Sequence, residues 1–180
     1  SKFSDKEYSD AGAKVVYSAK EAFDAEVIIK VEPPTEEEIN YMRSGSCLIS
    51  ALQLGKQSAD YIHALNKKRI TAVSYENLED KVGGMPVVRA MSEIAGSTVM
   101  LIAAEYLSSV NNGKGLIMGG VTGVPPTQVV IVGAGTVAEY AARTALGLGA
   151  SIKVFDNHIY KLRRIKHLLG QQVFTSTIDN

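Results

Sequence analysis

The segment Gln128–Ala138, QVVIVGAGTVA, narrows the possible folds of this chain more than any other. Val129 to Val132 is an apolar, β-branched run of the kind that forms a buried parallel strand, and it breaks into Gly133-x-Gly135-x-x-Ala138. In such a turn the first glycine permits a tight reversal and the second lets backbone approach a pyrophosphate. The small third residue lets the following helix pack close to the strand. A helix from Thr136 to Leu148 would turn its free N–H groups and positive dipole end toward the phosphates. A second strand, Ser151 to Phe155, ends in Asp156, about 20 residues past the glycines, where a carboxylate takes the adenosine ribose hydroxyls. Strand, glycine loop, helix, strand and acid in this order predict a dinucleotide site; the alternative is that the glycines only make a tight packed turn.

The rest of the chain alternates in the same way. A short helix is expected over Asp5–Ala11, a strand over Lys14–Tyr17, and a helix capped by Ser18 with Glu21 three residues on, the capping-box spacing. Glu26–Val31 reads as a strand stopped by Pro33-Pro34, Thr35 caps a helix, Ser46–Ala51 is a strand, Lys56–Asn66 a helix and Ile70–Ser74 a strand. This alternation predicts an α/β architecture with parallel sheets. A long helix over Val87–Val110 then suits a connector. The expected domains are an α/β domain over residues 1–84, a linker helix over 85–110 and a Rossmann-type nucleotide domain over 111–180. The first residue is not Met and the chain stops soon after one strand–helix–strand unit, so a piece of a longer protein is expected.

Composition excludes several classes. Lys plus Arg and Asp plus Glu both number 19, so the formal net charge is zero and no nucleic-acid partner is expected. The basic group Lys161, Arg163, Arg164 and Lys166 shares one predicted helix, which reads as a solvated face. Cys47 is the single cysteine, expected to be buried in a strand, and a cytoplasmic location fits. The longest apolar stretch, Ser97 to Val110, is interrupted by Glu105 and reads as too short to span a bilayer, so no membrane segment is expected. No His, Cys, Asp or Glu cluster has metal-ligand spacing, so no metal is expected.

Met91-Ser-Glu-Ile-Ala-Gly96, then Gly119-Gly-Val-x-Gly-Val-Pro-Pro126, then Val129 to Ala138, resemble in order and spacing the core of the alanine dehydrogenase and pyridine nucleotide transhydrogenase family. Ser74-Tyr-Glu76 and Met91-Ser-Glu93 place the resemblance nearer the alanine dehydrogenase branch. The resemblance implies a flavodoxin-like, formate/glycerate dehydrogenase-like N-terminal domain, a linker helix and the start of a Rossmann domain. It further implies oxidative deamination of L-alanine to pyruvate and ammonia, NAD as cofactor, an amino-acid or 2-oxo-acid substrate, and a homo-oligomer, a hexamer in that family. Carried over residue by residue, it puts Gly133, Gly135, Thr136 and Val137 at the pyrophosphate, Asp156 at the adenosine ribose, Lys161 at the same end and Ser92 near the nicotinamide. Ser92 could instead be a helix cap, and Lys161 a solvated charge. Asp156 favours NAD over NADP, since a carboxylate repels a 2′-phosphate.

The family's catalytic groups do not carry over. Its substrate-binding lysine falls on Glu32, whose carboxylate would repel pyruvate, and its histidine falls on Gln53, which cannot exchange a proton near neutral pH. Lys30, two positions from Glu32 and on the same face of an extended strand, could pair with Glu32 or replace the missing cation. Glu76 and Glu93 could form hydrogen bonds in a cleft or be structural. The departures leave three functions open: a dehydrogenase with a different substrate or reduced activity, a transhydrogenase-type nucleotide domain, and a non-catalytic NAD-binding protein.

Overall fold

The helices of the first half begin where the sequence supplies a cap. In the computed structural model, which describes residues 2–178, α1 (Asp5–Asp10) follows Ser4, α2 (Ala19–Phe23) follows Ser18, α3 (Glu36–Tyr41) follows Thr35 and α4 (Ala59–Lys67) follows Ser58. Each cap hydroxyl accepts from the backbone N–H three residues on, satisfying one orphan donor of the first turn. Ser4 with Glu7 and Thr35 with Glu38 complete reciprocal capping boxes, whereas at Ser18 it is the hydroxyl that reaches Glu21 Oε2, at 3.3 Å. α4 starts later than the expected Lys56 because Gln53 adopts a left-handed conformation and Leu54–Lys56 closes a separate 3₁₀ turn before Ser58 caps the helix. The outermost predicted domain bounds, residues 1 and 180, lie outside the described residues.

The chain divides into two compact units, Ser1–Val87 and Val88–Asn180. In the first, β1 (Val27–Ile29), β2 (Cys47–Ser50) and β3 (Thr71–Ser74) form a parallel sheet in that order, with Ile29 beside Ile49 and Ile49 beside Val73. Its core gathers Phe23, Ile28, Ile39, Met42, Leu48, Leu52, Tyr61 and Leu65. Lys14–Tyr17, expected as a strand, joins neither sheet: β-branched residues favour extended backbone, but a strand exists only with a hydrogen-bonded neighbour. Cys47 lies in β2 as expected but is half-buried rather than buried.

In the second unit, β4 (Gln128–Val132), β5 (Ser151–Phe155) and β6 (Val173–Ser176) form another parallel sheet in chain order, crossed over by α6 (Thr136–Gly147) and α7 (Ile159–Leu169). α7 and β6 extend the single strand–helix–strand unit expected, giving two successive crossovers. Ala138, Ala142 and Ala145 share one face of α6 and are buried, so the helix axis lies close against the central strand through Ile152 and Val154. β4 departs from the fully buried strand expected of its composition. It pairs only with β5 among the described residues, and Val130 and Val132 on one face are 54% and 75% exposed.

The predicted connector is α5 (Pro86–Leu107), with Pro86 at the first helical position, where a missing N–H costs nothing. Helix therefore starts well before Ser92, which lies inside it and is no cap. At 22 residues α5 is also longer than the apolar stretch suggested, and by length and composition alone it meets the requirement for crossing a membrane, which corrects the expectation that no segment does. It carries Arg89, Glu93 and Glu105. One turn of α5 packs on α6 within the second unit: a Cβ added at Gly96 would stand 2.4 Å from the Val137 carbonyl oxygen and 2.7 Å from Tyr140 Cβ. The Glu93 carboxylate also bonds Arg89 Nε, at 3.0 Å, and the Tyr140 hydroxyl.

Gly96→Ala should therefore force the two helices apart despite the higher helix propensity of alanine. The expected loss is about 1–3 kcal/mol, read as a lowered melting temperature; an unchanged or raised melting temperature would show that the α5–α6 contact is looser than described.

Candidate functional site

Gly133, at the end of β4, has φ +99°, a conformation that strains any other L residue, and its N–H donates to the Phe155 carbonyl at 2.7 Å. The chain turns there into α6, whose N-cap is Gly135 and whose first turn has no side-chain cap. A Cβ placed on Gly133 or Gly135 meets nothing within 4 Å, so this turn is open on its outer side. Thr136 and Val137 follow as the first two helical residues, and their N–H groups belong to the orphan donors that every helix leaves at its start. Ser92, Gly133, Gly135, Thr136 and Val137, five of the seven residues expected to bind cofactor, border one cleft of about 430 Å³. Open glycines, uncapped donors and a positive helix end fit a pyrophosphate.

Asp156 and Lys161 are not on that cleft wall: Asp156 directly follows β5, and Lys161 lies in the first turn of α7. The Asp156 side chain is buried, and its carboxylate accepts from the N–H of His158 on Oδ1 and from the N–H of Ala134 on Oδ2, both at 2.7 Å. His158 Nδ1 lies 3.0 Å from the same Oδ1. The His158 and Ala134 amides hold the Asp156 carboxyl below its ordinary 3.8 against the opposing push of burial, helped by the His158 ring and the positive charge of Lys161. Asp156 thus fixes the middle residue of the glycine turn; Oδ1 is met by both the His158 N–H and its ring, and Oδ2, which takes the Ala134 N–H, has a second lone pair.

The other polar atom of Ala134 is also held. Arg164 approaches its carbonyl at 3.4 Å and bonds the buried Glu139 carboxylate at 3.0 Å, while Arg143 takes the second Glu139 oxygen, also at 3.0 Å. Glu139, Arg164 and His158 were not singled out from sequence as site residues. The Glu139–Arg143 spacing of four along a helix is a readable signal, but Arg164 lies 25 positions further along the chain from Glu139 and only the fold brings it there.

In the first unit, parallel pairing brings Glu32 and Gln53 to the same carboxyl end of the sheet, since the Ala51 N–H donates to the Val31 carbonyl at 3.3 Å. Both side chains are exposed. Gln53 has φ +46° and ψ +46°, a left-handed conformation uncommon for a residue with a side chain. Lys30 points to a different partner from Glu32: its ammonium lies 2.8 Å from Glu38 Oε2, with both side chains largely covered. His63 is within α4, away from the capped end that follows Gln53. Among the described residues no group of His, Cys, Asp or Glu is arranged to hold a metal ion.

Comparison with known proteins matches both halves of the chain. The sequence model of the alanine dehydrogenase/PNT N-terminal domain covers residues 1–95, and that of the C-terminal domain covers residues 99–180. Alanine dehydrogenase of Bilophila wadsworthia is 37% identical over 175 residues, 97% of this chain and 46% of the relative. That of Methanococcus maripaludis is 39% identical over 176 residues, 97% of this chain and 47% of the relative. Among solved structures, an L-alanine dehydrogenase aligns with a TM-score of 0.82 at 35% identity, covering 99% of this chain and 49% of that one. The transhydrogenase from Sinorhizobium meliloti aligns at 0.72 and 26% identity, covering 99% of this chain and 51% of that one. The chain spans about half the length of the curated relatives it matches.

A carboxyl group whose value is lowered on folding lends stability that is complete above its ordinary value and is lost as pH falls through the lowered one. Asp156→Asn should therefore melt at lower temperature than the natural protein at neutral pH, and the gap should close as pH falls below 3.8. A gap that stays constant over this acid range would contradict the bonding assigned to Asp156.

Proposed function

Because this chain belongs to the alanine dehydrogenase/PNT family, we propose that it forms part of an NAD-dependent amino-acid dehydrogenase working as a cytoplasmic homo-oligomer. The supporting observation is the open turn at Gly133–Gly135, tied to Asp156 and leading into an uncapped helix. In this reading Gly133, Gly135, Thr136 and Val137 hold the pyrophosphate of NAD, Asp156 and Lys161 take the adenosine ribose end, and Ser92 lies on the nicotinamide side. The bound nicotinamide supplies the hydride acceptor for oxidation of an amino acid to a 2-oxo acid and ammonia. The proposal includes the division into a substrate domain over residues 1–84, a connecting helix over 85–110 and a cofactor domain over 111–180.

The substrate is proposed to differ from alanine, or the activity to be reduced. With Glu32 and Gln53 in the positions of the family's lysine and histidine, no cation is left there for a substrate carboxylate, and Lys30 is engaged by Glu38. A substrate carrying an additional amine would suit Glu32. A second reading, a transhydrogenase-type nucleotide domain, draws support from the same two residues: passing hydride between nicotinamides needs neither a lysine for a substrate carboxylate nor a histidine.

The deciding experiment follows NAD reduction by the full-length protein with L-alanine, other amino acids and amines, alongside calorimetric titration with NAD. Turnover of an amino acid supports the dehydrogenase; NAD binding without turnover over the whole panel supports the transhydrogenase-type or a non-catalytic role. The cofactor assignment has its own check. Since an added Cβ at Gly135 touches no protein atom within 4 Å, Gly135→Ala should leave the melting temperature unchanged. It should weaken NAD by roughly tenfold or more, about 1.4 kcal/mol. Unchanged NAD affinity would remove the pyrophosphate from this turn.

A further inference from the structure

Tyr75–Asn77 is a single 3₁₀ turn directly after β3, and it reaches back to both other strands of its sheet. The Tyr75 hydroxyl donates to the carbonyl of Val31, the residue before Glu32. The Glu76 carboxylate accepts from the N–H of Leu52 on one oxygen, at 3.2 Å, and from the N–H of Gln53 on the other, at 2.7 Å. Gln57 Nε2 completes the enclosure by donating to the Leu52 carbonyl at 3.0 Å. A left-handed glutamine does not persist without a surrounding structure that determines it, and here a carboxylate takes the N–H of that residue and of the one before it.

We infer that Tyr75 and Glu76 are positioning residues that fix the two strand-end segments carrying Glu32 and Gln53, the positions where this chain departs from its family. The inference deepens the dehydrogenase reading and rests on it. The two segments leave adjacent parallel strands at the end of the sheet where ligands of α/β proteins gather. A turn bonded to both sets the separation of whatever side chains stand at residues 32 and 53. Glutamate at position 76 suits this task because an ionised carboxylate is acceptor-only, whereas a glutamine amide can meet one N–H and must turn its own NH₂ toward the other. Burial pushes the Glu76 carboxyl up, yet the Ser74 hydroxyl and the backbone N–H groups of Gln53, Glu76 and Leu52 outweigh it and hold the group below its ordinary 4.5.

The test uses the full-length protein and its variants Glu76→Gln and Tyr75→Phe. Hydrogen exchange in the peptide spanning residues 52–57 should quicken about fivefold in Glu76→Gln, the loss expected of one hydrogen bond, while the turn at Gly133–Gly135 is unaffected. In the steady state, both variants should raise KM for the amino acid severalfold and leave KM for NAD unchanged. Unchanged exchange at 52–57 would overturn the inference. So would quickened exchange with both KM values unchanged, which is what a merely structural bond gives. If the natural protein turns over no amino acid, the dehydrogenase reading fails separately, and a crystal structure of Glu76→Gln decides the positioning claim. Gln53 leaving the left-handed region would uphold it, and Gln53 unmoved would refute it.

Discussion

The bond from the Ala134 N–H to the Asp156 carboxylate is the constraint on which the nucleotide half depends. Parallel pairing sets the ends of β4 and β5 side by side, but it does not by itself decide how the chain leaves β4. At 2.7 Å, with a buried acceptor, this bond fixes the middle of the glycine turn to the neighbouring strand end. Gly133 can then take its positive φ without a steric penalty, and α6 begins with its donors facing outward. A charge-assisted bond of this kind is stronger than one between neutral groups. The residue expected to recognise ribose therefore also shapes the loop expected to hold phosphate.

The first unit solves a comparable problem with a different group. There the strands end in loops rather than in a glycine turn, and the strained residue is a glutamine. A carboxylate again receives two backbone N–H groups, from Leu52 and Gln53. In both halves an acid just past a strand end holds the neighbouring strand's exit. Lys30, by contrast, is committed inward to Glu38, so the end of the first sheet presents Glu32 without a covering cation from that side chain.

Much of this was legible in the sequence where the signal is local. Caps at Ser18 and Thr35, the parallel strands at Cys47–Ser50 and Ser151–Phe155, and the helix after Gly135 follow from hydroxyl spacing, β-branched runs and glycine placement within a few residues. The family, too, was readable from three short motifs in the right order. Where the sequence misled, the outcome turned on partners, present or lacking, that local composition does not reveal. Lys14–Tyr17 has strand composition but pairs with no strand among the described residues, and Val130 and Val132 are apolar yet lie on an exposed face. Arg164 reaches Glu139 and Ala134 only through folding, and Glu76 meets Leu52 and Gln53 across 24 and 23 positions. Spacing arguments carry such pairs poorly because no periodicity links them.

The central claim is that the turn at Gly133–Gly135, held by Asp156, is a site for NAD. Calorimetric titration of the full-length protein with NAD and with NADP in parallel tests it most directly. Saturable one-site binding of NAD and much weaker binding of NADP are the expected result, because a carboxylate at the adenosine ribose would repel a 2′-phosphate. Equal affinity for the two, or binding of neither, would contradict it.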